Sequence, residues 1–310
     1  MKKRILVTGS EGNVGSELVP YLESLGHEVL CLDILQKYRK NYILCDVLNL
    51  SDAEEEITKF KPQIVFHLAA MVSRVTCEKS LSMAISINLT GTSNIIQLCK
   101  RHNAKLINFS TSEVYGNQNI LLEETIIPKP NNIYGITKLW AEELVAYEGE
   151  HSGLNYVNVR PFMMYSELEN MGENRSAMIR FAESVVKGLS FEVHKNAKRS
   201  WLHMSDAVVI YEKIMNLSGN HLINVGNSNF IDIEEMANFM CEYVGQNKEL
   251  IQLKELPEKM TLTKIASFNR LKDLINYQPL VGEKEGMIRV IERVKKIIYN
   301  ENIHNNPVLQ

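Results

Sequence analysis

Two side chains that could perform proton transfer together lie four positions apart, Tyr134 and Lys138 in the segment YGITK. On a helix this spacing places both on one face. A tyrosine with an ordinary pKa near ~10 is a poor base at neutral pH, but a nearby ammonium favours the phenolate and lowers that pKa. Such a pair can take the proton from a hydroxyl group while hydride leaves the same carbon. The spacing is also typical of an ordinary helix surface, so neighbouring segments must decide.

A second polar stretch, NFSTSEVYG at 108–116, follows an apolar run directly. A run of Ser and Thr usually forms a loop that bonds its own backbone. Its carboxylate, Glu113, could remove a proton from a carbon that a neighbouring keto group has acidified. The alternative is a structural carboxylate that accepts hydrogen bonds from loop amides. The distinction matters, because the first role implies a reaction with more than one chemical step.

Three glycines, Gly9, Gly12 and Gly15, stand between a predicted strand at 4–8 and a predicted helix at 16–26. In such a turn one glycine lets the backbone swing, one lets a pyrophosphate approach, and one lets helix and strand pack closely. The helix N-terminus offers free amides and partial positive charge to the phosphates. The loop, which also contains Asn13 and Val14, therefore predicts a dinucleotide site.

Asp33 ends the second predicted strand, HEVLCLD at 27–33. A carboxylate at this point can accept both ribose hydroxyls of the adenosine half of a dinucleotide. A 2′-phosphate would meet a like charge there, and the following Ile34 and Leu35 supply no compensating arginine. The cofactor favoured by the sequence is therefore NAD rather than NADP.

Predicted strands and helices alternate as far as Pro161. This alternation predicts an α/β fold with a Rossmann-type, doubly wound parallel sheet covered by helices on both faces. Residues 1–162 are predicted to form the NAD-binding domain, and a later segment, roughly 200–226, to return to it through the strand HLINVG. Residues 163–310 are predicted to form mostly a smaller, mixed α/β, substrate-binding domain.

The composition is that of an ordinary globular protein with 310 residues and a net charge of −3. No basic field indicates nucleic acid or an anionic membrane, and no apolar run is long enough to span a bilayer. The five cysteines lack any metal-binding spacing, which predicts free thiols in a reducing compartment and no metal. We therefore expect a cytoplasmic protein with no nucleic-acid or membrane partner.

Four segments in order, TGSEGNVG at 8–15, HLAA at 67–70, STSEVYG at 110–116 and YGITK at 134–138, carry a resemblance to a known family. The chain resembles the extended short-chain dehydrogenases/reductases, in particular their nucleotide-sugar epimerase/dehydratase branch. Weaker matches include NLTGT at 88–92 and RSWLHMSDAV at 199–208. The resemblance covers most of the chain and is specific for the family, but much less specific for the reaction.

The resemblance implies a role for each matching residue. Thr111 would hydrogen-bond the reacting hydroxyl, Lys138 would also hold the nicotinamide ribose, and Arg199 would clamp the substrate diphosphate. The implied catalytic residues are Thr111, Ser112, Glu113, Tyr134 and Lys138. Further implied cofactor contacts are Asp46, Val47, Leu68, Ala69, Ala70, Ser110 and Pro161, beside Tyr134 and Lys138 themselves.

The resemblance also implies the reaction class, an NAD-dependent epimerase or dehydratase that oxidises carbon 4 of a UDP-, dTDP- or GDP-linked sugar to a 4-keto intermediate. The pair Ser112 and Glu113 leaves a decarboxylase of the UDP-glucuronate type as an alternative. A catalytically silent NAD-binding sensor or scaffold is an alternative from another class. The family commonly has a substrate-contacting asparagine where this chain has Met163, so the resemblance does not imply which sugar is bound. A homodimer is expected through the helical segments 80–103 and 132–153.

Overall fold

The computed structural model describes residues 1–172, 175–255 and 263–304. The strands are β1 Arg4–Thr8, β2 Glu28–Asp33, β3 Tyr42–Leu44, β4 Ile64–His67, β5 Lys105–Phe109, β6 Tyr156–Pro161, β7 Met163–Tyr165, β8 Phe191–His194, β9 Lys198–His203, β10 His221–Val225, β11 Phe230–Asp232, β12 Ile251–Lys254 and β13 Thr263–Lys264. The helices are α1 Gly15–Ser24, α2 Glu54–Phe60, α3 Arg74–Lys79, α4 Leu81–Ile85, α5 Gly91–His102, α6 Ile133–Ser152, α7 Ala177–Lys187, α8 Met204–Met215, α9 Ile233–Val244, α10 Asn269–Ile275 and α11 Glu283–His304.

Seven strands form the central sheet in the order β3-β2-β1-β4-β5-β6-β10. Every neighbouring pair in this sheet is parallel. The order reverses at β1, so the crevice between the carboxyl ends of β1 and β4 is the place where such sheets bind ligands. The structure confirms the predicted doubly wound α/β sheet, including the late strand β10 at its edge.

The sheet has a packed core on each face because its strands alternate between them. Ile5 and Val7 of β1 belong to one cluster, together with buried residues of α1 and α8. Leu6 between them faces the other cluster, with residues of α2, α5 and α6. Strands buried on both faces read as continuous apolar runs, which is why they could be recognised in the sequence.

A third core cluster lies among α7, α9 and α11, and includes Trp201 of β9. Strand β9 pairs with β7, β11 and β13, while β12 pairs with β8. Helix α10, by contrast, packs into the cluster of the central sheet through Leu271 and Ile275. The division into an NAD-binding and a substrate-binding domain remains a prediction, and residues 305–310 lie outside the described residues.

The long helix predicted over 80–103 is interrupted. Helices α4 and α5 are separated by a π-helical turn at Ser86–Thr90 that contains the fully buried Asn88. The Asn88 side chain accepts from the Met71 amide (2.8 Å) and donates to the Met71 carbonyl and the Thr137 hydroxyl. Wide turns of this kind often occur near functional sites. This one ties the segment after β4 to helix α6.

Candidate active site

A cavity of about 560 Å³ lies over the carboxyl ends of the central strands. Fifteen residues predicted to contact the cofactor all line it. They are Gly9, Gly12, Asn13, Val14, Gly15, Asp33, Asp46, Val47, Leu68, Ala69, Ala70, Ser110, Tyr134, Lys138 and Pro161. The cavity therefore runs from the glycine turn and the end of β2 to the helix that carries the predicted Tyr/Lys pair.

The glycine turn has the shape that a pyrophosphate requires. A Cβ on Gly9, whose φ is +68°, would lie 2.7 Å from the Ala69 nitrogen, and a Cβ on Gly15 would lie 2.5 Å from the Gly9 oxygen. A Cβ on Gly12 would meet only the Gly9 oxygen, at 3.3 Å. Gly9 and Gly15 thus permit close packing, whereas Gly12 leaves room on the cavity side for a ligand.

Two polar groups on the cavity wall also fit a dinucleotide. The Asp33 carboxylate accepts from the backbone amides of Glu11 (2.9 Å) and Leu35 (3.0 Å), which fixes its orientation at the cavity edge. The Ser110 hydroxyl is buried, and among the described residues it has no hydrogen-bond partner. Together with the glycine turn and the N-terminus of α1, these groups fit NAD.

Tyr134 and Lys138 lie in the first two turns of α6, on one face. Burial lowers the pKa of Lys138 to about 8, and the carboxylate of Glu142 opposes this shift. Burial raises the pKa of Tyr134 above its ordinary value, although the nearby Thr111 hydroxyl opposes the shift. The phenol is therefore protonated until further positive charge is brought to it.

Thr111 and Ser112 begin the loop that follows β5, and both are buried. The Thr111 hydroxyl accepts from the Glu113 amide at 3.2 Å and so caps the short 3₁₀ turn Ser112–Tyr115. Neither residue lines the cofactor cavity. The contact between Thr111 and Tyr134 places this loop beside the phenol end of the cavity.

Glu113 is held by three other side chains. Its carboxylate forms an ion pair with Lys264, accepts from the Asn132 amide at 2.9 Å, and lies 3.7 Å from an Arg74 nitrogen. Burial alone would raise the pKa of Glu113, but Lys264, Arg74 and the Asn132 hydrogen bond outweigh burial and lower it. Glu113 is therefore an ionised carboxylate and a weak base in this state.

Arg199 lies on β9, where its register partner on β13 is Lys264. One Arg199 nitrogen donates to the Lys198 carbonyl at 2.8 Å. Burial lowers the Arg199 pKa to about 10, with the Glu113 carboxylate opposing and the Arg74 charge adding to this shift. Arg199 thus belongs to the group of charges around Glu113 rather than to the wall of the cofactor cavity.

Lys264 and Arg74 were missed from the sequence. Lys264 lies 151 positions beyond Glu113 and belongs to none of the motifs. In the sequence, Lys264 stands between Thr263 and the apolar residues Ile265 and Ala266. Many solvent-exposed lysines have similar neighbours, so this pattern does not indicate a functional residue. Arg74 begins a helix of six residues that the sequence did not predict.

His67 is fully buried at the end of β4. Its Nδ1 lies 2.8 Å from the Thr8 hydroxyl, and its Nε2 lies 3.1 Å from the Thr92 hydroxyl. Because Thr92 already donates to the Asn88 carbonyl, it accepts from Nε2–H, and Thr8 donates to Nδ1. Burial lowers the pKa of His67 to about 3, so this histidine is a neutral part of the core.

The sequence model of the NAD-dependent epimerase/dehydratase family matches residues 5–226. The chain belongs to this family. A UDP-N-acetyl-α-D-glucosaminuronate decarboxylase from Bacillus cytotoxicus is 27% identical over an alignment of 330 positions, which covers 96% of this chain and 99% of the relative. A structure of UDP-glucose 4-epimerase with UDP-glucose from Thermotoga maritima superposes with a TM-score of 0.88 at 23% identity, covering 95% and 99% of the two chains. The Thermus thermophilus UDP-glucose 4-epimerase in complex with NAD gives 0.85 at 24% identity, covering 94% and 99%.

These comparisons confirm the predicted family, the enzyme class and NAD as the cofactor. They are consistent with both the epimerase/dehydratase prediction and the decarboxylase alternative. The roles predicted for individual side chains remain predictions. Among the described residues, no helix combines the length and apolarity needed to cross a membrane, and no group of three or more His, Cys, Asp or Glu side chains is suited to a metal ion.

Proposed function

We propose that the enzyme oxidises carbon 4 of a nucleotide-linked sugar and then reduces the 4-keto intermediate to an epimer. The observation that carries this proposal is the position of Tyr134 and Lys138 on the wall of the cavity that fits NAD, with the Thr111 side chain beside the phenol. These are the groups needed to take a proton from a sugar hydroxyl. NAD, when bound, supplies the hydride acceptor.

Each side chain has a defined part in the proton transfer. Thr111 holds the reacting hydroxyl and then the developing ketone. Tyr134 takes the hydroxyl proton at its phenol oxygen, once the Lys138 ammonium and a cationic ring in the cavity offset the effect of burial. Lys138 would also hold the nicotinamide ribose. Transfer of a hydride to the opposite face of the carbonyl carbon, with return of the proton from Tyr134 to the carbonyl oxygen, would give the epimer.

Epimerisation is better supported than dehydration by the residues beside the phenol. Eliminating water requires an acid for the leaving hydroxide as well as a base for the carbon-bound proton. Ser112 is a buried serine rather than an acid, and Glu113 is paired with Lys264. A 4-epimerisation needs neither group to transfer a proton.

Decarboxylation is the second candidate. A 4-keto hexuronate is a β-keto acid, which loses carbon dioxide without a separate acid at the leaving group. Among the described residues, Arg74, Lys264 and Arg199 are close enough to influence one another's charge, and the Glu113 carboxylate lies near them. Cationic side chains of this kind suit a sugar carboxylate. The similarity to a decarboxylase of a UDP-linked uronic acid points in the same direction.

Arg199 supports a diphosphate-linked substrate, because its planar guanidinium can bind phosphate oxygens with two parallel hydrogen bonds. The similar proteins with UDP in their names favour UDP over dTDP or GDP. Met163 stands at the start of β7, where the family commonly has an asparagine. The sugar contact at this point therefore differs from the family pattern.

A homodimer is proposed through α4 and α6. Trp140 and Tyr147 of α6 are seven positions apart, on one face, and are 43% and 56% exposed. Leu81 and Met83 of α4 are also about half exposed. Large apolar side chains grouped on neighbouring helices indicate a surface that a partner covers. A second copy of the chain would bury the same face on both subunits.

The cytoplasm is proposed as the compartment. All five cysteines are buried free thiols, Cys31, Cys45, Cys77, Cys99 and Cys241. Free thiols are typical of reducing compartments.

The test of the proposed function is a product-mass screen. The NAD-loaded protein is incubated with UDP-, dTDP- and GDP-linked hexoses and hexuronates. The products are separated by chromatography and their masses are measured by mass spectrometry. We expect an unchanged mass with altered retention, which means epimerisation. Loss of carbon dioxide would favour decarboxylation, the second candidate. Loss of water would show that the enzyme is a dehydratase. No conversion of any substrate, with NAD bound, would contradict both candidates and favour a silent NAD-binding protein.

A further inference from the structure

A buried ion pair links two distant parts of the chain beside the phenol of Tyr134. Lys264 of β13 contacts Glu113 of the loop after β5, and their side chains are only 4% and 15% exposed. Removing two charges from water is unfavourable, and their mutual attraction offsets this only with good geometry and further hydrogen bonds. Such a pair is therefore weak evidence of stability, and its position beside the predicted chemistry calls for another explanation.

The backbone on each side of Lys264 is fixed to the first half of the chain. The Leu122 amide donates to the Ile265 carbonyl at 2.9 Å, and the Ser267 amide donates to the Leu122 carbonyl at 3.0 Å. These bonds hold residues 265–267 against the segment that follows the Glu113 loop. These backbone hydrogen bonds therefore fix the position from which the Lys264 ammonium contacts the Glu113 carboxylate.

Glu113 is connected in turn to the helix that carries Tyr134. Asn132 donates to Glu113 through its side-chain nitrogen, and its side-chain oxygen accepts from the Gly135 amide at 2.9 Å. Asn132 is the N-cap of α6. The chain of contacts therefore runs from Lys264 through Glu113 and Asn132 to the first turn of the catalytic helix.

We infer that Lys264 is a positioning residue for the proposed reaction, holding the Glu113 carboxylate ionised and oriented at the sugar end of the site. This inference rests on the proposed function for its chemical meaning, but the state of Glu113 can be measured without a substrate. Among the described residues, the other charged or titratable groups that interact with Glu113 include Arg74 of α3, Arg199 of β9 and Tyr134 of α6. Glu78 of α3 bonds the Ile133 amide nearby.

Lys105 provides a matched control. It is also a buried lysine, 8% exposed, and burial lowers its pKa to about 8. Its ammonium bonds the Leu217 carbonyl rather than a carboxylate. Removing either lysine charge changes a buried site, but only Lys264 faces Glu113. A difference in the Glu113 titration between the Lys264 and Lys105 variants therefore reports on the Lys264–Glu113 ion pair and not on the loss of a buried charge in general.

The experiment is an NMR titration of the Glu113 side-chain carboxyl carbon in protein labelled with ¹³C-glutamate, the signal being assigned by its loss in E113Q. We expect the midpoint to rise by about 1–3 pH units in K264M, since an opposite charge at this range lowers a carboxyl pKa by that amount. K264R should restore the low midpoint, and K105M should leave it unchanged. If K264M does not fold, K264Q serves in its place.

Activity gives a second readout once a substrate is known. Because the Glu113 carboxylate holds Asn132, the N-cap of the helix that carries Tyr134, the acid limb of the pH profile of kcat/KM should move to higher pH in K264M. It should return in K264R and stay unchanged in K105M. An unchanged Glu113 midpoint in the neutral Lys264 variants would overturn the inference while leaving the proposed function standing. Failure of the substrate screen with a shifted midpoint would reject the function and retain the ion-pair effect.

Discussion

At the scale of single residues, the phenol of Tyr134 is the group on which the proposed chemistry depends. Replacing it in Y134F removes the proton acceptor but keeps the ring. We expect turnover to fall by about 10²–10⁴-fold, the usual contribution of a positioned acid or base. NAD affinity, measured by calorimetry, should stay close to that of the wild type. Wild-type turnover in Y134F would remove Tyr134 from the mechanism.

His67 makes a separate prediction about stability. Its pKa is about 3 in the folded protein, against an ordinary value of 6.5, so between these values only the unfolded chain binds the proton. This contribution to stability is therefore lost as the pH falls below 6.5. Between pH 7 and pH 5 the free energy of unfolding should fall by about 2 kcal/mol more in the wild type than in H67Q. Equal losses in denaturant titrations would contradict a neutral core histidine.

The residues that sequence could identify are those inside local motifs. The glycine turn, Asp33 and the Tyr134/Lys138 pair were readable because their chemistry depends on short spacings within one turn or helix. Lys264 was not, because its partner Glu113 lies 151 positions away and only the fold joins them. The same limit applies to the pKa of Tyr134. The Tyr134/Lys138 spacing predicts a lowered pKa, whereas burial, which only the fold determines, raises it.

At the scale of elements, the turn between β1 and α1 separates two glycine functions. A Cβ on Gly12 would make one tight contact, 3.3 Å from the Gly9 oxygen, whereas a Cβ on Gly15 would lie only 2.5 Å from the same oxygen. We expect G12A to fold, to lose less stability than G15A, and to lose about tenfold or more in NAD affinity. G15A should lose on the order of 1–3 kcal/mol of stability from overpacking. Calorimetry measures the NAD affinity of both variants, and denaturant unfolding measures their stability. A G12A protein that binds NAD normally would contradict the role given to Gly12.

The regular elements of the central sheet were predictable for a physical reason. Buried parallel strands are short apolar runs, and the helices between them carry an apolar stripe. Strands β7 and β13 have three and two residues, and their pairing with β9 depends on long-range contacts. The π turn at Ser86–Thr90 depends on the buried Asn88, whose partners Met71 and Thr137 come from two other parts of the chain. Local patterns do not specify such features.

At the scale of the whole molecule, the exposed face of α4 and α6 is expected to join two subunits. Glutamates at both Trp140 and Tyr147 would place like charges across a two-fold interface. We expect the wild type to sediment as a dimer and the double variant W140E/Y147E as a folded monomer. The variant E183Q/K187Q, which removes the surface ion pair of α7, is the control and should remain dimeric. A wild-type monomer at micromolar concentration would contradict the proposed assembly.

The most direct measurement of the central claim follows the hydrogen on carbon 4 of the sugar. A nucleotide sugar converted in the product screen is prepared with deuterium at that carbon and mixed with one equivalent of NAD-loaded enzyme. The reaction is quenched during the first turnover, and the dinucleotide is analysed by mass spectrometry. We expect deuterium on a fraction of the dinucleotide in the wild type and none in Y134F. Conversion of the sugar with no deuterium reaching the dinucleotide at any time would contradict oxidation at carbon 4.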